Sequence, residues 1–492
     1  MVEILHKNMV TRMTKITLQK GVRHISVALV LFMALVSCSD TTKVHSFTIS
    51  GRVYLNLENN DTGEHLYDFA GVEVSLYEQA YYDSSMAQIS VLYPLIGAAG
   101  GQISSFDVSE QTPIVIAQTK ADGTFELHGV KAGTYNIVFN KIGWGDIYIY
   151  SMHIDKDTTI EHITMFPVIE VPSIAETEYT FKHNHTYSIA ASTIFEHNCI
   201  FEGGSRILVA PSARLDFLGD VQFDGDNAFT HFTGSTEALL AKDYKWGGLR
   251  FVNDNVVIEK VILSGASTGI SLMGSNSAIR NSVFKQVTNG IYAPSDHSYF
   301  EFCTFRNISA RAIVYNQASG SDSIKHVIKY SIFENCNEGL RTLGQAVSIT
   351  DNVFIKNGVA IGSFSGYHEI EHNVFDMNST AILIQGCSIT IRQNEFYDNI
   401  YSNQLLPAYY TTSSVPVFTD NNFFQSSNYA IYITPHPLPG DIDATLNYWD
   451  YQYISEILYD RYDNPQITEA INYIPQRNTP ISSAGIRTPG RR

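Results

Sequence analysis

Charge and cysteine are scarce in this chain, and each shortage removes a class of function. Only 16% of the 492 residues are charged and the formal net charge is −17, so a polyanionic nucleic acid is not an expected partner. Besides Cys38 there are four cysteines, Cys199, Cys303, Cys336 and Cys387. No two stand at metal-ligand spacing or in matching positions of neighbouring repeats, so neither a disulfide nor a zinc site is expected, and Cys303 reads as a small buried filler. Past residue 37 no apolar run reaches membrane-spanning length. Asp224-Gly225-Asp226-Asn227 reads as a turn rather than a calcium or acid/base site, and His183-Asn184-His185 lacks a third ligand. Hence no metal and no cofactor is expected.

What the chain has is a short phrase repeated from Ile258 to Trp449: an apolar residue, then Asn or Ser three positions on, then Phe two further. Examples are Ile279/Ser282/Phe284, Ile328/Ser331/Phe333, Ile349/Asn352/Phe354, Ile370/Asn373/Phe375 and Ile391/Asn394/Phe396. The closing positions 263, 284, 305, 333, 354, 375, 396 and 423 step by 21, 21, 28, 21, 21, 21 and 27. Each unit continues with a small residue and an aliphatic one, such as Gly290-Ile291, Gly339-Leu340 and Ala381-Ile382. Units this short hold no apolar stripe of helix length, and they lack the Leu-x-x-Leu-x-Leu frame of leucine-rich repeats. Their β-branched and aromatic runs, bounded by Asn, Ser and Gly, predict stacked coils of parallel strands. The apolar residue and the Phe are five apart, so inward alternation must break once at a corner, where Asn tolerates a left-handed backbone. One outward column then reads Glu259, Arg280, Glu301, Lys329, Thr350, Glu371, Arg392, Thr419, alternating in sign where charged, which marks these charges as structural.

With Trp246-Gly247-Gly248-Leu249 opening a coil and Leu446-Asn447-Tyr448-Trp449 closing the array, the pattern resembles the right-handed parallel β-helix proteins of the pectate-lyase-like superfamily. The resemblance covers roughly residues 176–475, and it implies an architecture more than a reaction. Residues 46–168 differ: alternating runs such as Phe47–Val53 and Gly71–Leu76, and the continuation Gly129–Val138, resemble the carboxypeptidase-regulatory-like β-sandwich, an immunoglobulin-like module. Its insertion, roughly Gln79 to Pro113, reads as a surface or contact loop. The expected fold is therefore all-β, an N-terminal β-sandwich followed by a right-handed parallel β-helix, with residues 166–176 as linker and 476–492 as a tail. Met1 to Ser37, basic and then apolar, is an export signal. Its end, Leu35-Val36-Ser37-Cys38, resembles a bacterial lipobox, which implies lipidation of Cys38 and a protein anchored at the outer membrane or cell surface.

The regular step fails twice on the same side of the coil, where residues Asn316–Ser323 and Asn399–Ser414 are added. Between those insertions lie three unaltered coils whose outward floor residues are Arg341, Gly362 and Leu383, with Tyr292 and Tyr432 beyond and Tyr401, Tyr409 and Tyr410 in the second wall. A groove about 14 Å long suits a short glycan, Arg341 taking an acidic group and the tyrosines stacking on sugar rings. Asp351 and His372, on successive coils, form a candidate proton-transfer pair, for which a solvated corner is the alternative. In pectate-lyase-like families the cleft lies on this same strand, but here it lacks a run of acidic calcium ligands. Two functions stay open: a monomeric, surface-anchored binding or adhesion protein directed at a polysaccharide, and a polysaccharide lyase or hydrolase. The first is preferred, because one arginine is not a convergent catalytic cluster.

Overall fold

The computed structural model describes residues 45–57, 68–79, 89, 91–99, 106, 108, 111–224, 228–235, 245–294, 297–316, 326–344, 346–406, 415–436 and 438–487. Residues 1–37, which read as an export signal, and Cys38 lie outside the described residues. Among those described, no helix is long and apolar enough to cross a membrane.

From Ile169 onward the chain winds as a right-handed parallel β-helix. Each coil gives one strand to each of three sheets. The phenylalanine sheet (Val283–Lys285, Val353–Ile355 and their equivalents) and the second sheet (Arg311–Asn316, Glu338–Leu343 and theirs) each hold 13 strands. The third sheet (His326–Lys329, Val347–Thr350 and theirs) holds ten, preceded by a three-stranded sheet of Tyr179–Phe181, Cys199–Glu202 and Val221–Asp224. The stack starts earlier than residue 176: Ile169–Glu170 and Ile174–Ala175 already pair with the next coil. Pro167 and Pro172 cut these strands to two residues, which is why the segment reads as a linker in sequence.

The repeat phrase maps onto this coil as expected. Phe284, Phe305, Phe333, Phe354, Phe375, Phe396, Phe423 and Trp449 form one interior file, with neighbouring ring centroids 4.4–5.1 Å apart and interplanar angles of 6–10°. All lie in the core. The asparagine has a different role from the one its left-handed tolerance suggests. The positive-φ residue is the one before it, Asp351, His372, Gln393 or Asp420. Asn352, Asn373, Asn394, Asn421 and Asn447 point inward, each side-chain oxygen accepting the backbone N–H of the equivalent residue one coil earlier at 2.8–3.0 Å. Their amides donate back to coil carbonyls, so the corner's buried polar groups are satisfied by the file itself. Asn357, Asn378 and Asn399 build a second such file at the next corner.

Residues before Phe166 form two small sheets. Phe47–Leu55, Thr124–Val130 and Thr158–Met165 make one; Glu73–Glu78, Val115–Gln118, Gly133–Asn140 and Ile147–Ile154 make the other. Ile49, Val53, Val74, Phe125, Leu127, Ile137 and Phe139 pack between them as a β-sandwich core.

Three other parts of the chain cover the outer face of the phenylalanine sheet. The sandwich reaches its first coils. The sandwich's own insertion sets Ile89 and Ile96 against Ile332, Val353 and Ile355, so it is a contact loop, and Ala98 N donates to Thr304 Oγ1 at 2.9 Å. The C-terminal segment runs back along the corner: Arg477 pairs with Asp420 at 2.8 Å, Ile481 N donates to Asn422 at 2.8 Å, and Gly485 N donates to the Gln393 carbonyl at 2.8 Å. The covering segments leave the outer faces of the second and third sheets to be considered as sites.

Candidate ligand-binding face

Every outward side chain of the second sheet is positioned by register. One column runs Tyr292, Val314, Arg341, Gly362, Leu383, Gln404, Tyr432, Tyr459 on successive coils. Beside it runs Asn289, Arg311, Glu338, Val359, Thr380, Tyr401, Tyr429. The floor expected from sequence, Arg341, Gly362 and Leu383, therefore does lie in one line with Tyr292 at one side and Tyr432 at the other. At about 4.8 Å per strand, Arg341 to Tyr459 spans about 24 Å.

Arg341 is not the free cation of that floor. Its guanidinium is bidentate on Glu338, at 3.0 Å through Nε and 2.8 Å through a terminal nitrogen. Arg311, one coil earlier, donates to the same carboxylate at 3.1 Å. A Cβ on Gly362 would sit 2.3 Å from Glu338 Oε1, so the glycine is what lets the carboxylate lie flat in the floor. Arg341 also lies over Phe364, 5.1 Å from the ring centroid. Two cations on one buried acid leave a net positive floor whose groups are already oriented. Sequence reasoning missed Glu338 and Arg311 because they sit in the neighbouring column, outside the repeated phrase.

The aromatic end is larger than expected and differently composed. Tyr401, Tyr429, Tyr432 and Tyr459 form a continuous cluster: Tyr432 stacks on Tyr459 at 4.7 Å, Tyr429 lies 5.4 Å from Tyr432, and Tyr401 meets Tyr432 edge-on at 5.5 Å. All four are partly exposed. Burial, with Asp463 and the neighbouring phenols behind it, raises the pKa of Tyr429, and burial followed by the other three phenols raises that of Tyr432, so both hydroxyls stay protonated at neutral pH. Tyr409 and Tyr410 lie outside the described residues. Two of the four rings, Tyr429 and Tyr459, carry no repeat signature; the signal available in sequence was the density of tyrosine between 429 and 462.

Asp351 and His372 do not form a proton-transfer pair. Asp351, 1% exposed, accepts from Arg487: its N–H at 2.9 Å, Nε at 3.0 Å and a terminal nitrogen at 2.6 Å. His372 Nδ1 faces the Gly485 carbonyl at 3.3 Å, and burial, with Arg487 second, lowers its pKa. Both side chains hold the C-terminal segment in place. The third sheet's outward charges also serve each other: Lys329 pairs with Glu301 at 3.2 Å, and Arg392 with Glu371. A cleft of about 690 Å³ beside them, under residues 93–99, is lined by the already paired Glu301.

Residues 226–363, well under half of the chain, match the family described as NosD, periplasmic copper-binding protein. Copper would need soft or imidazole donors brought together. Among the described residues no three His, Cys, Asp or Glu side chains converge. Cys303 and Cys336 are buried, their thiols directed at carbonyls of the preceding coil, so the described residues do not fit a copper centre. No curated protein matches the chain. Among solved structures, a tailspike protein mutant of E. coli bacteriophage HK620 in complex with a pentasaccharide is similar at 14% identity over 57% of this chain and 59% of that one, with a TM-score of 0.31. A score of that size says nothing about where a site lies.

Proposed function

We propose that the chain is a surface-anchored glycan-binding protein whose ligand lies along the second sheet, from the Arg341 floor to the tyrosine cluster. The observation that carries this reading is the four-ring cluster itself. Grouped, partly exposed phenols present flat apolar faces with protonated hydroxyls at their edges, which is the complement of a pyranose ring with its C–H face and equatorial hydroxyls. Asp463 acts on Tyr429 at that end, so the sugar stacked there is uncharged; an acidic substituent would fall toward Arg341 and Arg311. The lipobox-like Leu35-Val36-Ser37-Cys38 supports an anchor at the outer membrane or cell surface, and the sandwich, akin to carboxypeptidase-regulatory-like modules, acts as the spacer.

A polysaccharide panel against the purified protein tests the reading, with binding and newly formed reducing or unsaturated ends both recorded. The expected result is binding to at least one glycan, weakened at least tenfold by joint Tyr429→Ala and Tyr432→Ala substitution. New chain ends, abolished by the same substitutions, would move the assignment to a lyase or hydrolase. Binding that ignores both tyrosines would overturn the site.

A further inference from the structure

A second site is suggested where the β-sandwich meets the first coils. The contact is built closely: a Cβ on Gly145 would fall 2.4 Å from Thr186 Oγ1, and Phe166 stacks on His185 at 4.0 Å. Beside this contact is a cleft of about 250 Å³, lined by Asp146, Tyr148, Tyr150, Asn184, Arg206 and His231 among others. Clefts between domains are where small ligands are most often held.

Arg206 dominates it. The guanidinium lies 4.2 Å from the centroid of Tyr148, which stacks in turn on Tyr150 at 5.8 Å, and the Tyr150 hydroxyl bonds to it. A guanidinium has five N–H donors. Among the described residues the carboxylate that acts on it is Asp146, through charge at longer range and not through a hydrogen bond. Asp146, the acid in the lining, is engaged by Asn140 Nδ2 at 2.6 Å and by the Tyr148 hydroxyl at 3.4 Å. His231 follows Arg206 in the same column of the phenylalanine sheet. Burial, then Arg206 and Lys285, push its pKa well down, so it enters the cleft as a neutral hydrogen-bonding ring. A cation withdrawn from water beside a cavity, whose acidic neighbour Asp146 is already engaged by Asn140 and Tyr148 and leaves guanidinium donors over, is stabilised further by an anion from outside.

We propose that this cleft binds a small ligand through one carboxylate or sulfate group, taken by the Arg206 guanidinium with Asn184 and His231 around it. The site is separate from the tyrosine cluster and does not depend on that reading. Calorimetric titration of the full chain with sodium sulfate and with sodium glucuronate, against sodium chloride, tests it. The expected outcome is saturable binding of sulfate, glucuronate or both, reduced at least tenfold in Arg206→Gln with the thermal transition kept. Sulfate alone would identify an inorganic anion as the ligand chemistry, and glucuronate alone a carboxylate-bearing sugar. No binding above the chloride control, or unchanged affinity in Arg206→Gln, overturns the proposal. Should Arg206→Gln not fold, Tyr150→Phe takes its place, because it removes the hydroxyl that orients the guanidinium; unchanged affinity there is equally fatal.

Discussion

Replacing Asn373 by alanine tests whether the corner asparagines hold the solenoid together or merely fit it. Asn373 is fully buried. Its Oδ1 accepts from Asn352 N at 2.9 Å and Asn352 Nδ2 at 3.1 Å; its Nδ2 donates to Ile349 O at 2.8 Å, Glu371 O at 2.9 Å and Asn394 Oδ1 at 3.1 Å. Not all five count equally. Glu371 O still receives Asp351 N, and Asn352 Nδ2 still reaches Ile328 O and Thr350 O. The group left without its partner is the Asn352 N–H. Orphaning it costs about 1–3 kcal/mol, and the four weaker losses add about 0.5–1.5 kcal/mol each, giving at least about 3 kcal/mol in all. Serine should recover about half, because Ser331 shows what it does in this column: its Oγ accepts from Cys303 N at 3.0 Å and donates to Lys329 O at 3.0 Å. Urea unfolding followed by circular dichroism gives the ranking, and amide hydrogen exchange at Asn352 locates the loss. If Asn373→Ser is as destabilised as Asn373→Ala, or if Asn373→Ala costs under about 1 kcal/mol, the file is ornament and the argument from buried polar groups fails.

Phe354→Ala, which opens the ring file between Phe333 at 4.6 Å and Phe375 at 5.1 Å, should cost about 3–5 kcal/mol in the same assay, with Phe354→Leu much milder. Arg487→Ala leaves the buried Asp351 carboxylate with only a backbone donor and should cost about 3 kcal/mol; combining it with Asp351→Asn should restore part of that, and failure to do so would refute the ion-pair strap. His368 is buried and held to about 4 by desolvation, opposed by its bond to the Ser365 carbonyl. Its folded pKa lies below the unfolded one near 6.5, so the unfolded chain takes up the proton first and stability falls as pH drops from about 6.5 to 4. Unfolding at pH 7 and pH 4 should show that His368→Gln loses about 3 kcal/mol less over this interval than the unsubstituted protein.

The interior of the solenoid was legible because each coil repeats one solution to one packing problem. Phe354 and Phe375 occupy equal positions in sequence and therefore equal positions in space. The alternating charges Glu301, Lys329, Glu371 and Arg392 were legible for the same reason, since a column neighbour is fixed by the period. The site was legible only where it followed the period: Arg341, Gly362, Leu383 and Tyr432 fall in line, while Glu338, which decides what Arg341 can do, does not belong to the phrase. Contacts made by segments outside the repeat left no periodic trace at all. Arg487 reaches Asp351 across 136 residues of sequence, and it turned a candidate acid/base pair into an anchor for the chain end. The role of asparagine was misassigned by local reasoning. Its left-handed tolerance is real, but Asp351, His372, Gln393 and Asp420 take that conformation, and the asparagine is spent on hydrogen bonds that only the stacked coils reveal.

The most direct test of the glycan-binding account is a crystal structure of the protein with the oligosaccharide that binds it best from the panel. The account predicts a sugar ring seated against Tyr429, Tyr432 or Tyr459, with the chain running along the Gln404, Leu383 and Gly362 column toward Arg341. Density for the oligosaccharide on the third sheet, or under the segment that covers the phenylalanine sheet, with the tyrosine cluster bare, would contradict it.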